Sequence, residues 1–330
     1  MPTSHSPLPL VALLTLGGTI ASTPGDDGTA PRLTADDLAG SAGDLSRLAR
    51  VSRASLRQLP SSDLRYSDIA EVAERVAAAL AGGAHGAVVT QGTDTLEETA
   101  FLLDLLLDAG APVVVTGAMR NPSLPGADGA ANLRAAIAVA AAPAAEGLGV
   151  LVVMNDEIHA ARFVRKTHSH KPSAFASPAT GPIGWVAEDR VRIALRPAEP
   201  TPTLPWRGAA PDVPVAALGF SMDAAALQAF AQDPPEGLVV ATLGVGHVPS
   251  TMVETLGSLA ARIPVVIASR AGAGEVFRGT YGYEGSETDL LRRGCIGAGY
   301  LDPLKARILL ALLLADGADR ARIGGAFAAY

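Results

Sequence analysis

Short, uninterrupted runs of aliphatic residues limit most strongly what this chain can fold into. Runs without polar alternation are typical of parallel strands that are covered on both faces. Such runs lie at Leu10–Leu16, Ala87–Thr90, Pro112–Thr116, Val150–Met154, Val215–Phe220, Leu238–Leu243 and Pro264–Ala268. Helical segments such as Ser67–Ala81 and Leu304–Leu314 fill the gaps. We therefore predict an α/β fold with mainly parallel sheets.

A proline-rich stretch divides this pattern in two. Six prolines lie from Pro197 to Pro214, in a chain of 330 residues that is long enough for about two domains. Such a stretch neither continues a helix nor sits in a central strand. We predict a larger N-terminal domain at 1–195 with a doubly wound sheet, a linker at 196–212, and a smaller Rossmann-like α/β domain at 213–330.

Composition excludes several classes of protein. The net charge of −7 argues against nucleic-acid partners, which require concentrated positive charge. The single cysteine, Cys295, rules out a disulfide framework and a cysteine-based zinc site. No apolar stretch approaches the roughly 20 residues that span a bilayer, and the first apolar run has no Lys or Arg before it. We expect a soluble cytoplasmic protein that does not bind membranes.

Two sequence patterns predict where helices begin. Asp302-Pro303 places an N-cap residue and an N1 proline before the last long helix. Thr95-x-x-Glu98 fits a capping box, with Gly110 expected to end that helix.

The turns after three predicted strands are polar and rich in glycine. They read Gly17-Gly18-Thr19, Gln91-Gly92-Thr93-Asp94-Thr95 and Gly117-Ala118-Met119-Arg120. Ligands bind beyond the carboxyl ends of parallel strands, so we expect these turns to converge on one crevice. Their threonine hydroxyls become nucleophiles if a base is nearby. Lys166 is the candidate base, provided that burial neutralises its ammonium, and Asp94 could orient it.

Other interpretations of these turns remain open at this point. A Gly-Gly-Thr turn alone is often only a turn followed by a helix cap. Glycine-rich turns also bind phosphate, but neither turn has the GK[ST] ending of a P-loop or a full GxGxxG. His168-x-His170 could hold a metal, yet no third ligand is evident, so we expect no metal.

The chain resembles the bacterial-type L-asparaginases, amidohydrolases that convert asparagine to aspartate and ammonia. The resemblance covers nearly 300 residues and is weakest after residue 22, in the linker and at 271–290. It is carried by the segments TLGGTIAS, VVTQGTDTLEETAFLLDLLL, VVVTGAMRNPSLPGADGAANLRAAI, GVLVVMNDEIHAARFVRKTHSHKPSAFAS and GYLDPLKARILLALLLADGADRARIGGAFAAY.

The resemblance implies a cofactor-free amidohydrolase with two α/β domains. It implies a homotetramer built as a dimer of intimate dimers, with the C-terminal domain at an oligomer interface. Thr19 matches the family's nucleophilic threonine. Thr93, Lys166 and Asp94 match the second threonine with its lysine and aspartate, which we expect to handle protons.

The same resemblance assigns the residues that bind substrate. Ser61 matches the serine that binds the α-carboxylate, and Ser62 occupies the position of a glutamine that contacts the α-ammonium. Asp94 matches a residue that holds the α-ammonium, while the Thr93 N–H matches an oxyanion donor. The carbonyl of Ala118 matches the acceptor of the amide nitrogen. Glu287 aligns with a glutamate lent by the neighbouring subunit.

One departure from the family's pattern keeps alternatives open. The family often has a mobile tyrosine in the loop after the first threonine, but Ser22–Leu38 contains none. We predict that Tyr281, Tyr283 or Tyr66 supplies the phenol, with the Gly279–Gly285 segment preferred. The alternatives are a glutaminase-asparaginase of broader specificity and a catalytically impaired asparagine-binding protein.

Overall fold

The computed structural model describes residues 7–108 and 110–330 and shows two compact units. They divide between Thr203 and Leu204. Residues 1–6, which precede the first predicted strand, lie outside the described residues. The predicted domain and linker bounds stay predictions.

Unit 1 carries twelve strands within its described residues. They are β1 (Leu10–Gly17), β2 (Ser22–Thr23), β3 (Ala30–Pro31), β4 (Arg50–Leu59), β5 (Gly86–Thr90), β6 (Val113–Thr116), β7 (Val150–Met154), β8 (Glu157–Ala160), β9 (Arg165–Lys166), β10 (Phe175–Ala176), β11 (Gly184–Ala187) and β12 (Arg190–Ile193). Its α-helices are α1 (Ala35–Ser41), α2 (Tyr66–Ala81), α3 (Leu96–Leu106) and α4 (Gly129–Ala140).

Eight of these strands form one mainly parallel sheet in unit 1. Its order is β12-β11-β8-β7-β6-β5-β1-β4. Strands β4, β1, β5, β6 and β7 pair in parallel, whereas β8, β11 and β12 add antiparallel partners at one side. Strands β5, β6 and β7 are buried along their whole length, as expected for aliphatic runs covered on both faces.

The edge strand β4 is absent from the sequence-based prediction. It spans Arg50–Leu59, has no fully buried residue, and carries Arg50, Arg53 and Arg57. An edge strand has one unpaired side, and charged side chains there discourage pairing with other chains. Such a strand has no aliphatic run, so the pattern that identifies the central strands misses it.

Unit 2 is a smaller α/β unit with its own core. Its strands are β13 (Val215–Ala217), β14 (Leu238–Thr242), β15 (Val265–Ser269) and β16 (Ile296–Gly297), which form a parallel sheet in chain order. Its helices are α5 (Gln228–Gln232), α6 (Val253–Ala260), α7 (Glu287–Arg292), α8 (Pro303–Ala315) and α9 (Arg320–Ala328). The predicted α/β class with a larger mainly parallel sheet and a smaller second domain is confirmed.

The two predicted helix starts have different outcomes. Asp302 caps α8, and its carboxylate accepts the N–H groups of Leu304 and Lys305. The capping box at Thr95 is wrong, because the Thr95 side chain makes no cap bond to α3 and donates instead to the Ser61 carbonyl. Helix α3 also ends at Leu106, before Gly110. None of the described helices combines the length and apolar character that crossing a bilayer requires.

Candidate active site

Three neighbouring strands of unit 1 are in register near their carboxyl ends. Thr15 of β1 pairs with Thr90 of β5, and Thr90 pairs with Thr116 of β6. Because the strands are parallel, the turns that follow them emerge at one edge of the sheet. This register supports the prediction that the three glycine-rich turns lie side by side.

The first two turns touch through their backbones at Gly18 and Gly92. A Cβ at Gly18 would lie only 2.0 Å from the Gly92 nitrogen, and Gly18 has a φ of +80°. Only glycine fits both requirements. Thr19 and Thr93 come directly after these two glycines, so the backbone contact brings the two threonine turns together.

Ser61 joins this contact from the loop after β4. A Cβ at Gly92 would lie 2.8 Å from its Oγ, and the Asp94 N–H donates to that Oγ at 3.2 Å. The Ser61 carbonyl accepts from the Thr95 hydroxyl at 3.0 Å. The neighbouring Ser62 is exposed, and its hydroxyl lies 3.4 Å from the Asp63 carboxylate. The structure thus places Ser61 against the second turn and Ser62 at the surface.

Lys166 reaches the second turn from a distant part of the sequence. Its Nζ lies 3.0 Å from Thr93 Oγ1 and 2.6 Å from Asp94 Oδ1. The Lys166 side chain is 15% exposed and that of Asp94 is 73% exposed, so the ion pair lies at the border between the interior and solvent. The predicted association of Thr93, Asp94 and Lys166 is therefore present in the geometry.

The Thr19 hydroxyl has a different environment. Thr19 begins the short 3-10 turn Thr19–Ala21 and is partly exposed. Its side chain makes no hydrogen bond to residues 7–108 or 110–330 of the described structure. Thr19 therefore contacts no base among the described residues, and a hydroxyl needs a base to become a nucleophile.

The third turn is fixed by two side chains that the sequence analysis misses. Ala118 is completely buried, and the next two N–H groups, of Met119 and Arg120, donate to the Asp128 carboxylate at 3.0 and 2.8 Å. Asn132 Nδ2 donates to the Gly117 carbonyl and to Asp128. The signal for this support is the pair Asp128 and Asn132, four residues apart at the start of α4.

Glu287 belongs to unit 2, where it begins α7 with a fully buried side chain. Its Oε1 accepts the N–H groups of Thr280 and Tyr281, and its Oε2 lies 3.3 Å from His247 Nε2. Burial alone would raise the pKa of Glu287, but these backbone donors bring the pKa below its usual range. The Tyr283 hydroxyl lies 2.9 Å from His247 Nδ1, which completes a carboxylate–imidazole–phenol chain.

His168 and His170 lie close together in the turn between β9 and β10, with ring centroids 4.5 Å apart. Within the described ranges, no group of three or more His, Cys, Asp or Glu side chains is placed to hold a metal ion.

Comparison with protein families covers both units. The family model described as "Asparaginase, N-terminal" matches residues 10–199, and the "Glutaminase/Asparaginase C-terminal domain" matches residues 212–327.

Curated relatives match the chain along nearly its whole length. A probable L-asparaginase of Deinococcus radiodurans is 39% identical over 330 residues, covering 97% of each chain. An L-asparaginase of Bacillus licheniformis is 35% identical over 93% of this chain and 95% of the relative. A glutaminase-asparaginase of Pseudomonas fluorescens is 32% identical over 97% of this chain and 90% of the relative.

A solved structure agrees with these matches. The crystal structure described as a probable cytoplasmic L-asparaginase from Campylobacter jejuni superimposes with a TM-score of 0.88 and 31% identity, covering 98% of this chain and all of that one. Both units and the three glycine-rich turns of unit 1 thus fall within one family, and the chain belongs to the asparaginase family.

Proposed function

We propose that this protein hydrolyses L-asparagine to L-aspartate and ammonia, with Thr19 as the nucleophile. The observation that carries the proposal is the contact of Lys166 Nζ with both Thr93 and Asp94, in a turn whose backbone touches the turn of Thr19. The names of the relatives support asparagine as the substrate. No cofactor is needed for this reaction.

The first half of the reaction forms an ester. The Thr19 oxygen attacks the carbon of the substrate's side-chain amide and loses its proton. The amide nitrogen gains a proton and leaves as ammonia, so that an aspartyl group remains on Thr19. Water then attacks this ester, releases aspartate and restores the hydroxyl. Each half needs one group that accepts and returns a proton.

Thr93, Lys166 and Asp94 are the proposed path for these protons. At 3.0 Å, Lys166 Nζ is close enough to exchange a proton with the Thr93 hydroxyl. Asp94, at 2.6 Å, fixes the position of the amine. Its largely exposed carboxylate is also the proposed partner of the substrate's α-ammonium, a charge-assisted contact that would select amino acids over simple amides.

The remaining proposed contacts bind substrate and charge. Ser61 would bind the α-carboxylate and Ser62 would lie near the α-ammonium. The Thr93 N–H would stabilise the oxyanion, a type of contact worth about 100- to 1,000-fold in rate. The Ala118 carbonyl would accept from the amide nitrogen. Glu287 is proposed to contact the α-ammonium in an oligomer.

The test is ammonia release from L-asparagine, together with mass spectrometry of the rapidly quenched enzyme. We expect an aspartyl adduct on the peptide that contains Thr19. The adduct and the ammonia should both disappear in Thr19→Ala, whereas Thr180→Ala, which removes an exposed hydroxyl of the same unit, should behave as wild type. An adduct on Thr93 would reassign the nucleophile. Binding of asparagine without turnover would favour the impaired binding protein.

Glutamine hydrolysis is the second candidate activity. It is favoured by a relative named glutaminase-asparaginase that is 32% identical to this chain. One methylene changes binding by only about 1–3 kcal/mol, so a pocket for asparagine discriminates weakly on size. Rates with L-glutamine, measured beside those with L-asparagine, give the ratio of kcat/KM values directly.

We further propose that the enzyme is a homotetramer and works in the cytoplasm. The tetramer is supported by the family membership, and the compartment by the name of the Campylobacter jejuni protein. A relative from Haemophilus influenzae is named periplasmic, so cell fractionation is the appropriate test of the compartment. Mixing inactive Thr19→Ala with inactive Glu287→Gln subunits should restore activity if subunits share Glu287. Sedimentation of a fully active monomer would contradict the tetramer.

A further inference from the structure

Lys166 lies on a piece of structure that is weakly fixed by its own hydrogen bonds. Among the described residues, strand β9 (Arg165 and Lys166) pairs with the two residues of β10 in a two-stranded sheet separate from the main sheet. The Thr167 N–H continues this pairing by donating to the Ala174 carbonyl at 2.7 Å. A short isolated hairpin is marginally stable in water. The position of the Lys166 amine therefore needs support from outside the hairpin.

The buried carboxylate of Glu97, close to the second turn, supplies this support. Glu97 Oε2 accepts the backbone N–H of Lys166 at 2.5 Å, and the Glu97 side chain is buried at 6% exposure. Glu97 is the second residue of α3, which follows directly on the turn Thr93–Thr95. The helix that extends from the Thr93 turn thus holds the backbone of the residue whose amine contacts Thr93.

The contacts form a closed loop in space. One connection joins Glu97 to the Lys166 backbone, and two others join the Lys166 amine to Thr93 and Asp94. All three partners lie within five consecutive residues, 93–97.

A second anchor holds the other strand of the hairpin. Ser177, which follows β10, has its Oγ 3.0 Å from Nδ1 of the fully buried His159 on β8. This contact joins β10 to the main sheet, but it lies on the strand opposite Lys166. Within the described residues, Glu97 is the side chain that accepts the Lys166 backbone N–H.

We propose that Glu97 is a positioning residue that sets the distance between the Lys166 amine and the Thr93 hydroxyl. The proposal rests on the proposed function, because it assigns Lys166 a part in proton transfer. In this proposal Glu97 acts on the reaction through Lys166 and is not itself a catalytic residue. A misplacement of about 1 Å in a catalytic group can lower the rate about 100-fold, so a lost anchor should affect turnover more than binding.

The experiment compares Glu97→Ala and Glu97→Gln with Glu98→Gln, a change in the neighbouring and less buried carboxylate. We expect kcat for Glu97→Ala to fall about 10- to 100-fold while KM changes less than about threefold. Glu97→Gln keeps an acceptor oxygen and should retain most of kcat, and Glu98→Gln should match wild type. Equal losses in Glu97→Ala and Glu97→Gln would overturn the proposal.

A double variant tests whether Glu97 acts through Lys166. Adding Glu97→Ala to Lys166→Ala should lower kcat no further, because the amine that Glu97 positions is already gone. If kcat of the double variant falls by the product of the two single losses, the proposal is overturned. If Glu97 were needed only for folding, Glu97→Ala would lower the melting temperature of the single and the double variant alike. Its effect on kcat would then not depend on whether Lys166 is present.

Hydrogen exchange gives a readout that does not depend on activity. We expect the peptide covering 163–168 to lose amide protection in Glu97→Ala and to keep it in Glu98→Gln. Unchanged amide protection of this peptide in Glu97→Ala would contradict the role of Glu97 as an anchor. An inactive wild-type enzyme would overturn the proposed function and the catalytic part of this proposal, whereas lost protection would still establish the anchor.

Discussion

The turns that carry Thr19 and Thr93 are alike in sequence and different in surroundings. Each places a threonine directly after a glycine at the end of a parallel strand. The Thr93 hydroxyl contacts the amine of Lys166, whereas the Thr19 hydroxyl makes no hydrogen bond to any residue that the structure describes. Lys166 and Glu97 both belong to the surroundings of the second turn.

This difference separates two tasks of hydrolysis. A nucleophile needs an oxygen that can reach carbon and a base that takes its proton, and a proton carrier needs partners that hold its proton. The same residue type performs either task, depending on what surrounds it. On the proposed mechanism, the role of each threonine follows from the neighbouring chain rather than from its own turn.

The largest effect is expected from removing either hydroxyl. Thr19→Ala should lower kcat by about 10,000-fold or more, because no covalent intermediate can form. Thr93→Ala should lower kcat about 100- to 10,000-fold, the range of a proton-transfer group. Steady-state ammonia release measures both, with Thr180→Ala as the control. A Thr93→Ala loss that exceeds the Thr19→Ala loss would reverse the assigned tasks.

A smaller effect is expected from separating the two turns. Gly18→Ala would place a Cβ 2.0 Å from the Gly92 nitrogen at a φ of +80°. Gly28→Ala is the matched control, since Gly28 has a φ of +98° with nothing within 4 Å of an added Cβ.

Both substitutions impose backbone strain of about 1–2 kcal/mol, but only Gly18→Ala adds a clash between backbones. We expect Gly18→Ala to lower the free energy of unfolding by at least about 2 kcal/mol more than Gly28→Ala, and to reduce kcat. Urea unfolding measures the first quantity. Equal destabilisation by the two changes would show that the turns do not depend on their close approach.

The smallest effect on activity is expected at His159, which contacts Ser177 next to strand β10. Burial lowers the pKa of His159 from 6.5 to about 4, so its imidazole is neutral in the folded protein. Between these values the unfolded chain binds a proton that the folded protein does not, so folding stability falls as the pH drops from 6.5 to about 4. The loss reaches about 3 kcal/mol at the lower value.

His159→Gln should remove this part of the pH dependence and change kcat at pH 7 less than Glu97→Ala does. Urea unfolding at several pH values, beside His170→Gln as an exposed control, measures the slope. A His159→Gln protein with the wild-type slope would contradict the assignment of this titration to His159.

The sequence predicts the central strands and the last long helix because their patterns are local. Val150–Met154 is a strand at the predicted bounds, and the predicted helix Ser67–Ala81 begins one residue earlier, at Tyr66. The edge strand β4 lacks an aliphatic run and was missed. The Thr95 pattern was misinterpreted, because Thr95 ends the short helical turn Thr93–Thr95 and lacks the extended backbone of a capping residue. Its hydroxyl donates to the distant Ser61 carbonyl.

The sequence by itself determined the fold class and the residue types in the three turns of the candidate site. Aliphatic runs and glycines shape the chain over only a few residues, so they are recognised without the fold. The sequence indicated Thr19, Thr93, Asp94 and Lys166 through a family resemblance. The resemblance also grouped Lys166 with Thr93, and the structure shows that contact. Only the tertiary structure revealed that Glu97 holds the Lys166 backbone. Contacts between residues about 70 positions apart depend on how strands and helices pack, and no local pattern records them.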